Sequence, residues 1–132
     1  MFKQIDRKVG TKNRREIIDI TNLVTGVISK NKDSKGLVNI YTPHTTACIT
    51  INEYEKDLEK DIMETINSIA PSDGDYHHQV NADAHIVSSI IKPSITIPFK
   101  NGSLNLGTYQ KILFLELDGP RNRAIKITLM SM

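Results

Sequence analysis

The stretch Tyr109-Gln110-Lys111-Ile112-Leu113-Phe114-Leu115-Glu116-Leu117-Asp118-Gly119-Pro120-Arg121-Asn122-Arg123-Ala124-Ile125-Lys126-Ile127-Thr128-Leu129 holds two apolar runs around a turn-forming cluster. Residues 109–117 and 124–129 read as strands, and Asp118-Gly119-Pro120 predicts a hairpin with a longer loop between them. Just upstream, residues 94–99 and a strand from Leu104 onward flank Asn101-Gly102, a strong two-residue hairpin signal. Hairpin-linked strands pair antiparallel, so much of the sheet is expected to be antiparallel.

Working outward, residues 4–9, 16–20 and 36–41 read as further strands. In residues 47–51, Ala47, Ile49 and Ile51 face one way and Cys48 and Thr50 the other. Leu23, Val24, Val27 and Ile28 recur at helical spacing, with Thr21 placed to cap them. A second helix carries Leu58, Ile62, Ile66 and Ile69, with Asn52 as cap, Glu55 completing a capping box and Pro71 as stop. A third spans residues 81–92 and stops at Pro93. About seven strands interrupted by three helices predict an α+β domain.

The 132 residues fit one domain, 1–132, and 39% hydrophobic with 24% charged residues is a globular composition. A net charge of +2 argues against a nucleic-acid-binding role. The single cysteine, Cys48, excludes an intrachain disulfide and fits a reducing compartment. The opening residues 1–8 lack the apolar core of a secretory leader, and no apolar run is long enough to span a bilayer. The expectation is a cytoplasmic domain without membrane or nucleic-acid partners.

The four histidines, His44, His77, His78 and His85, show no zinc-protease spacing, but all lie at element ends beside loops. On the third helix Asn81, His85, Ser88, Ser89 and Lys92 share one face, and Ala82, Ile86 and Ile90 another. The polar face can line a pocket or stand in solvent. Glu53, at a strand end and the start of a helix, suits a general base or a metal ligand, though an acidic residue there is ordinarily a helix cap. Arg121 and Arg123 place two guanidinium forks at a turn, where they grip phosphate or stand in water. Cys48, inside a strand, reads as structural. No phosphate-binding glycine loop, serine elbow or dinucleotide fingerprint is present.

Five blocks together resemble the YjbQ-like proteins, often labelled secondary thiamine-phosphate synthases. They are His44-Thr45-Thr46-Ala47 running to Asn52-Glu53, Tyr76-His77-His78, Asn81-Ala82-Asp83-Ala84-His85, Leu106-Gly107-Thr108-Tyr109-Gln110, and Glu116-Leu117-Asp118-Gly119-Pro120-Arg121-Asn122-Arg123. Tyr109 stands where the family usually carries Trp, and the family pattern selects His78 over His77. The resemblance implies an antiparallel pseudo-barrel assembled as a homotrimer. It implies that His44, His78 and His85 converge on a divalent metal, zinc or magnesium, or on an anion. Glu53, Glu116 and Gln110 would be the catalytic groups. Arg121, Arg123, Lys92, Asn81 and Ser88 would hold the phosphate of a small phosphorylated metabolite. The implied activity is thiamine-phosphate synthesis by displacement of pyrophosphate. A metal-dependent hydrolase, or a non-catalytic trimeric binder of a small anion, are the alternatives.

Overall fold

The computed structural model describes residues 1–32 and 34–132. Strands β1 (Phe2–Gly10) and β2 (Glu16–Asp19) precede helix α1 (Thr21–Ile28). Strands β3 (Lys35–Tyr41) and β4 (Ala47–Asn52) lead into helices α2 (Lys56–Ile69) and α3 (Ala82–Ile91). Strands β5 (Ser94–Lys100), β6 (Ser103–Leu104), β7 (Lys111–Glu116) and β8 (Asn122–Ser131) complete the chain. The architecture is α+β, as expected, with eight antiparallel strands among the described residues.

The strands form two sheets, one of order β1-β8-β3-β5-β6 and one of order β2-β7-β4. The Asn101-Gly102 hairpin is present, with both residues at positive φ and Phe99 paired to Leu104. The second expected hairpin is not formed, because β7 and β8 belong to different sheets. The reason lies in β7, whose side chains are buried on both faces. Ile112 and Phe114 face a core shared with Val38, Ile40, Ile125, Ile127 and Leu129 of the large sheet. Leu113 and Leu115 face a second core with Cys48, Ile66, Ala84 and Val87. A strand apolar on both sides needs a layer against each face. The chain therefore turns a corner after Glu116 and returns as β8 in the opposing sheet. The molecule is layered as large sheet, small sheet, then α2 and α3, with α1 closing one end of the first core.

The alternation expected for β4 holds: Ala47, Ile49 and Ile51 face the first core and Cys48 the second. Two helix caps differ from expectation. The Thr21 hydroxyl does not cap α1; it donates to Asp19 and accepts from the Ile112 amide at 2.8 Å, tying helix to sheet. Glu55, not Asn52, caps α2 and accepts from the Asp57 and Leu58 amides, because the helix starts at Lys56. Among the described residues no helix is long and apolar enough to cross a membrane.

Candidate active site

Helix α3 sets the site. Ala84 and Val87 pack on the second core, and the small Ala84 side chain lets the helix lie close to the sheet. Asp83, only 2% exposed, accepts from both Arg14 and Arg15 and locks the rotation of the helix. This rotation splits the face that Ala82, Ile86 and Ile90 share, burying Ala82 and leaving the two isoleucines outside. Ile86 and Ile90 are 39% and 59% exposed, and the buried side is Ala82, Asp83, Ala84 and Val87. The polar edge turns toward the start of β4. His85, Ser88 and Ser89 then line a 260 Å³ pocket with His44, Thr45, Ala47 and Pro93. A larger groove of 660 Å³, at the β3–β5–β6 end, is apolar and holds no histidine.

His44 is held by a lacework between residues 42–46 and the start of β8. The Ala124 amide donates to His44 Nε2 at 2.9 Å, and the Thr42 hydroxyl donates to the Ala124 carbonyl. Arg123 donates to the carbonyl and hydroxyl of Thr46. Burial, and then the charge of Arg123, pull the His44 imidazole below its ordinary range. Because Nε2 accepts, the neutral ring carries its proton on Nδ1.

His85 Nε2 lies 3.1 Å from Asn81 Oδ1, and Asn81 Nδ2 donates to Asp118 at 2.8 Å. Arg121 donates to the same carboxylate at 3.1 Å, and Arg14 Nε stands 3.9 Å away. Burial raises the Asp118 carboxyl, but the bonds from Asn81 and Arg121 outweigh it and hold it below the ordinary range. His78 places its ring edge-on to His85 with centroids 5.1 Å apart. His85 thus shares a pocket with His44 and an edge-on ring contact with His78, but His78 lines a separate cleft, so the three expected histidines do not share one pocket within the chain. His77 is exposed and lines neither His85's pocket nor the polar cleft that holds His78.

Other expected site residues lie elsewhere. Glu116 is fully buried and accepts from Arg123, Thr11 and the amides of Leu117 and Asp118. Burial raises it, yet these donors win and hold its carboxyl low, and they engage its oxygens within the fold. Arg123, its partner, is 2% exposed and has no free face for phosphate. Arg121, half-exposed, donates to the carbonyl and carboxylate of Asp118 and does not line the His44–His85 pocket. Lys92 follows α3 with φ of 89°, which carries it off the helical face, and it does not line the pocket. Ser88 does, and among the described residues its buried hydroxyl has no hydrogen-bond partner.

Glu53 and Gln110 are exposed beyond the far end of the small sheet, where Asn52 pairs with Lys111. The histidine end is marked by Ala47 paired with Glu116, about 17 Å away along the strand. Among the described residues no three His, Cys, Asp or Glu side chains are grouped to hold a metal ion. The His44 Nε2 lone pair is already taken by the Ala124 amide, so one chain does not supply a ready three-imidazole donor set.

Cys48 is buried and its thiol is pushed up to about 12 by burial, consistent with an inert core position. Sequence reasoning missed Asp118, because the Asp-Gly turn explained it fully. It also missed Asp83 with Arg14 and Arg15, whose separation in sequence carries no local signal.

The chain matches the family described as UPF0047 protein YjbQ-like over residues 6–132. A UPF0047 protein of Archaeoglobus fulgidus is 45% identical over 118 residues, covering 87% of this chain and 91% of the relative. Another from Methanothermobacter thermautotrophicus is 42% identical over 121 residues, covering 89% and 85%. The crystal structure of a hypothetical protein from Aeropyrum pernix K1 superposes with TM-score 0.92 at 38% identity, covering 97% of this chain and 98% of that one. A fold shared at that level, and a family match across nearly all of the chain that includes every block around His44, His85 and Arg121, place the protein in the UPF0047 family of YjbQ-like proteins.

Proposed function

We propose that the His44–His85 pocket binds a small phosphorylated metabolite and moves a proton on it, with Arg121 gripping phosphate at the rim. The observation that carries this reading is the meeting of two imidazoles from different elements in one pocket, His44 kept neutral by burial and by the Ala124 amide. A neutral imidazole can give or take a proton at physiological pH, according to which of its nitrogens is left free. Asn81 and Asp118 link His85 to Arg121 by successive hydrogen bonds, which supports counting Arg121 with the site. Thiamine-phosphate formation, in which a thiazole phosphate displaces pyrophosphate from an aminopyrimidine diphosphate, is the reaction nominated by the family resemblance. It asks for cationic phosphate grips and little covalent chemistry from the protein.

The reading includes a homotrimer. Glu53 and Gln110 lie at the far end of the small sheet from the histidines. A neighbouring copy is what can bring them to the pocket. The exposed Ile86 and Ile90, beside the pocket on α3, support such a contact.

The test is calorimetric titration of inorganic pyrophosphate into the wild-type chain and His85→Ala, from pH 8 to 5, with and without chelator. Binding that is lost in His85→Ala and indifferent to chelator supports the metabolite site. Binding that needs a divalent metal and fails as pH drops through ~6.5 supports a metal centre instead. Equal binding by both proteins removes the reading.

A further inference from the structure

We propose that Asn81 is a positioning residue that fixes the tautomer of His85, so that Nε2 carries the ring proton and Nδ1 presents a bare lone pair. The argument runs along a chain of hydrogen bonds whose polarity is set at one end. Asp118 faces Arg121 at 3.1 Å and Arg14 at 3.9 Å, and an ionised carboxylate only accepts. The Asn81 atom 2.8 Å from Asp118 is therefore the amide nitrogen, and the other end of that carboxamide is its carbonyl oxygen. A carbonyl oxygen also only accepts. The His85 nitrogen 3.1 Å from it must bear a hydrogen, and in the neutral ring Nδ1 then has none.

The backbone is built around this bridge. Asn81 has φ of 50°, a left-handed conformation that asparagine tolerates better than most residues. It occupies the N-cap of α3, where an asparagine side chain ordinarily accepts from an amide of the first turn. Among the described residues it makes no such bond, because both polar ends of its side chain are committed to Asp118 and His85.

The two imidazoles of the pocket are thus assigned opposite roles. His44 accepts through Nε2 and has only an Nδ1–H left, a donor for a ligand. His85, with its Nε2–H committed to Asn81, has only the Nδ1 lone pair left to accept from a ligand. When it takes a proton from a bound hydroxyl or amine, the ligand is left one proton poorer and the ring becomes imidazolium. Its Nε2–H stays on Asn81, and Asp118 faces the new charge through the carboxamide.

This deepens the proton-transfer reading but is tested without any substrate, so the two can fail separately. The experiment is ¹⁵N NMR of histidine-labelled wild-type protein and of Asn81→Gly at pH 8, with His85→Ala to assign the signals. Glycine keeps the left-handed backbone and deletes the carboxamide. The expected wild-type spectrum shows one neutral His85 tautomer, with pyrrole-type Nε2 and pyridine-type Nδ1. The Nε2–H exchange should quicken at least tenfold in Asn81→Gly. A wild-type His85 protonated on Nδ1 overturns the proposal, as does an exchange rate unchanged in a folded Asn81→Gly. If that variant does not fold, the wild-type tautomer and Asp118→Asn, which loosens the polarity of the chain, decide the matter.

Discussion

Arg123 Nε donates to Glu116 Oε1 at 2.8 Å across the corner where the chain leaves the small sheet and enters the large one. Neither side chain is more than 2% exposed. The pair satisfies the corner internally, with Thr11 and the amides of Leu117 and Asp118 taking the remaining acceptor sites. It also fixes the start of β8, and through the Ala124 amide it fixes His44.

Removing one member leaves a buried charge without its partner. Arg123→Met is expected to destabilise the fold by ~3–5 kcal/mol, and Glu116→Leu combined with Arg123→Met by clearly less than the sum of the two single changes. Urea unfolding of the four proteins measures this. Strict additivity would show that the two side chains are not coupled.

Stability is expected to fall with acid in two stages. Glu116, Asp83 and Asp118 have folded values lowered from 4.5, 3.8 and 3.8 respectively. Their contribution is complete above those ordinary values and is lost as pH drops through the lower folded ones. The His44 value is also lowered, from 6.5, so the unfolded chain binds that proton first and a smaller loss begins there. Thermal scans from pH 8 to 3 should show both stages. His44→Gln should remove the upper stage and leave the lower.

Arg121→Ala should leave the melting temperature nearly unchanged, because its side chain is half-exposed in a loop. A charge-assisted bond to phosphate is worth roughly 1.5–3 kcal/mol, so pyrophosphate affinity should drop about ten- to a hundredfold. An unchanged dissociation constant in the same titration would make Arg121 a bystander to the site.

A homotrimer should give three times the chain mass by light scattering at micromolar concentration. Ile86→Glu, on the exposed flank of α3, should lower that mass if the flank lies in the contact. A wild-type monomer would leave Glu53 and Gln110 outside the site.

Much of the fold was legible because its signals are local. The alternation of Ala47, Cys48 and Ile49, the Asn101-Gly102 turn and the Pro93 stop each act within a few residues. The β7–β8 corner was not, because two strands around a turn look the same whether they pair or part. What parts them is the two-sided burial of Ile112 to Leu115, a property of the layers around them. The histidine cluster was legible only through family resemblance, since His44 and His85 come from unlinked elements. Arg123 and Glu116 misled for a related reason. Charges near a turn ordinarily stand in water, and a sequence does not show that these two neutralise each other in the interior.

The position of β8 has a consequence for biosynthesis. It is the last strand in sequence order, yet it lies between β1 and β3 and pairs with both. Phe2 pairs with Met130, so the large sheet cannot close until residue 130 has left the ribosome. Until then β1 and β3 wait with open edges, at risk of pairing with other chains. A chain shortened by the length of β8 would lose the centre of its large sheet rather than a margin, and should be cleared as an unfolded product.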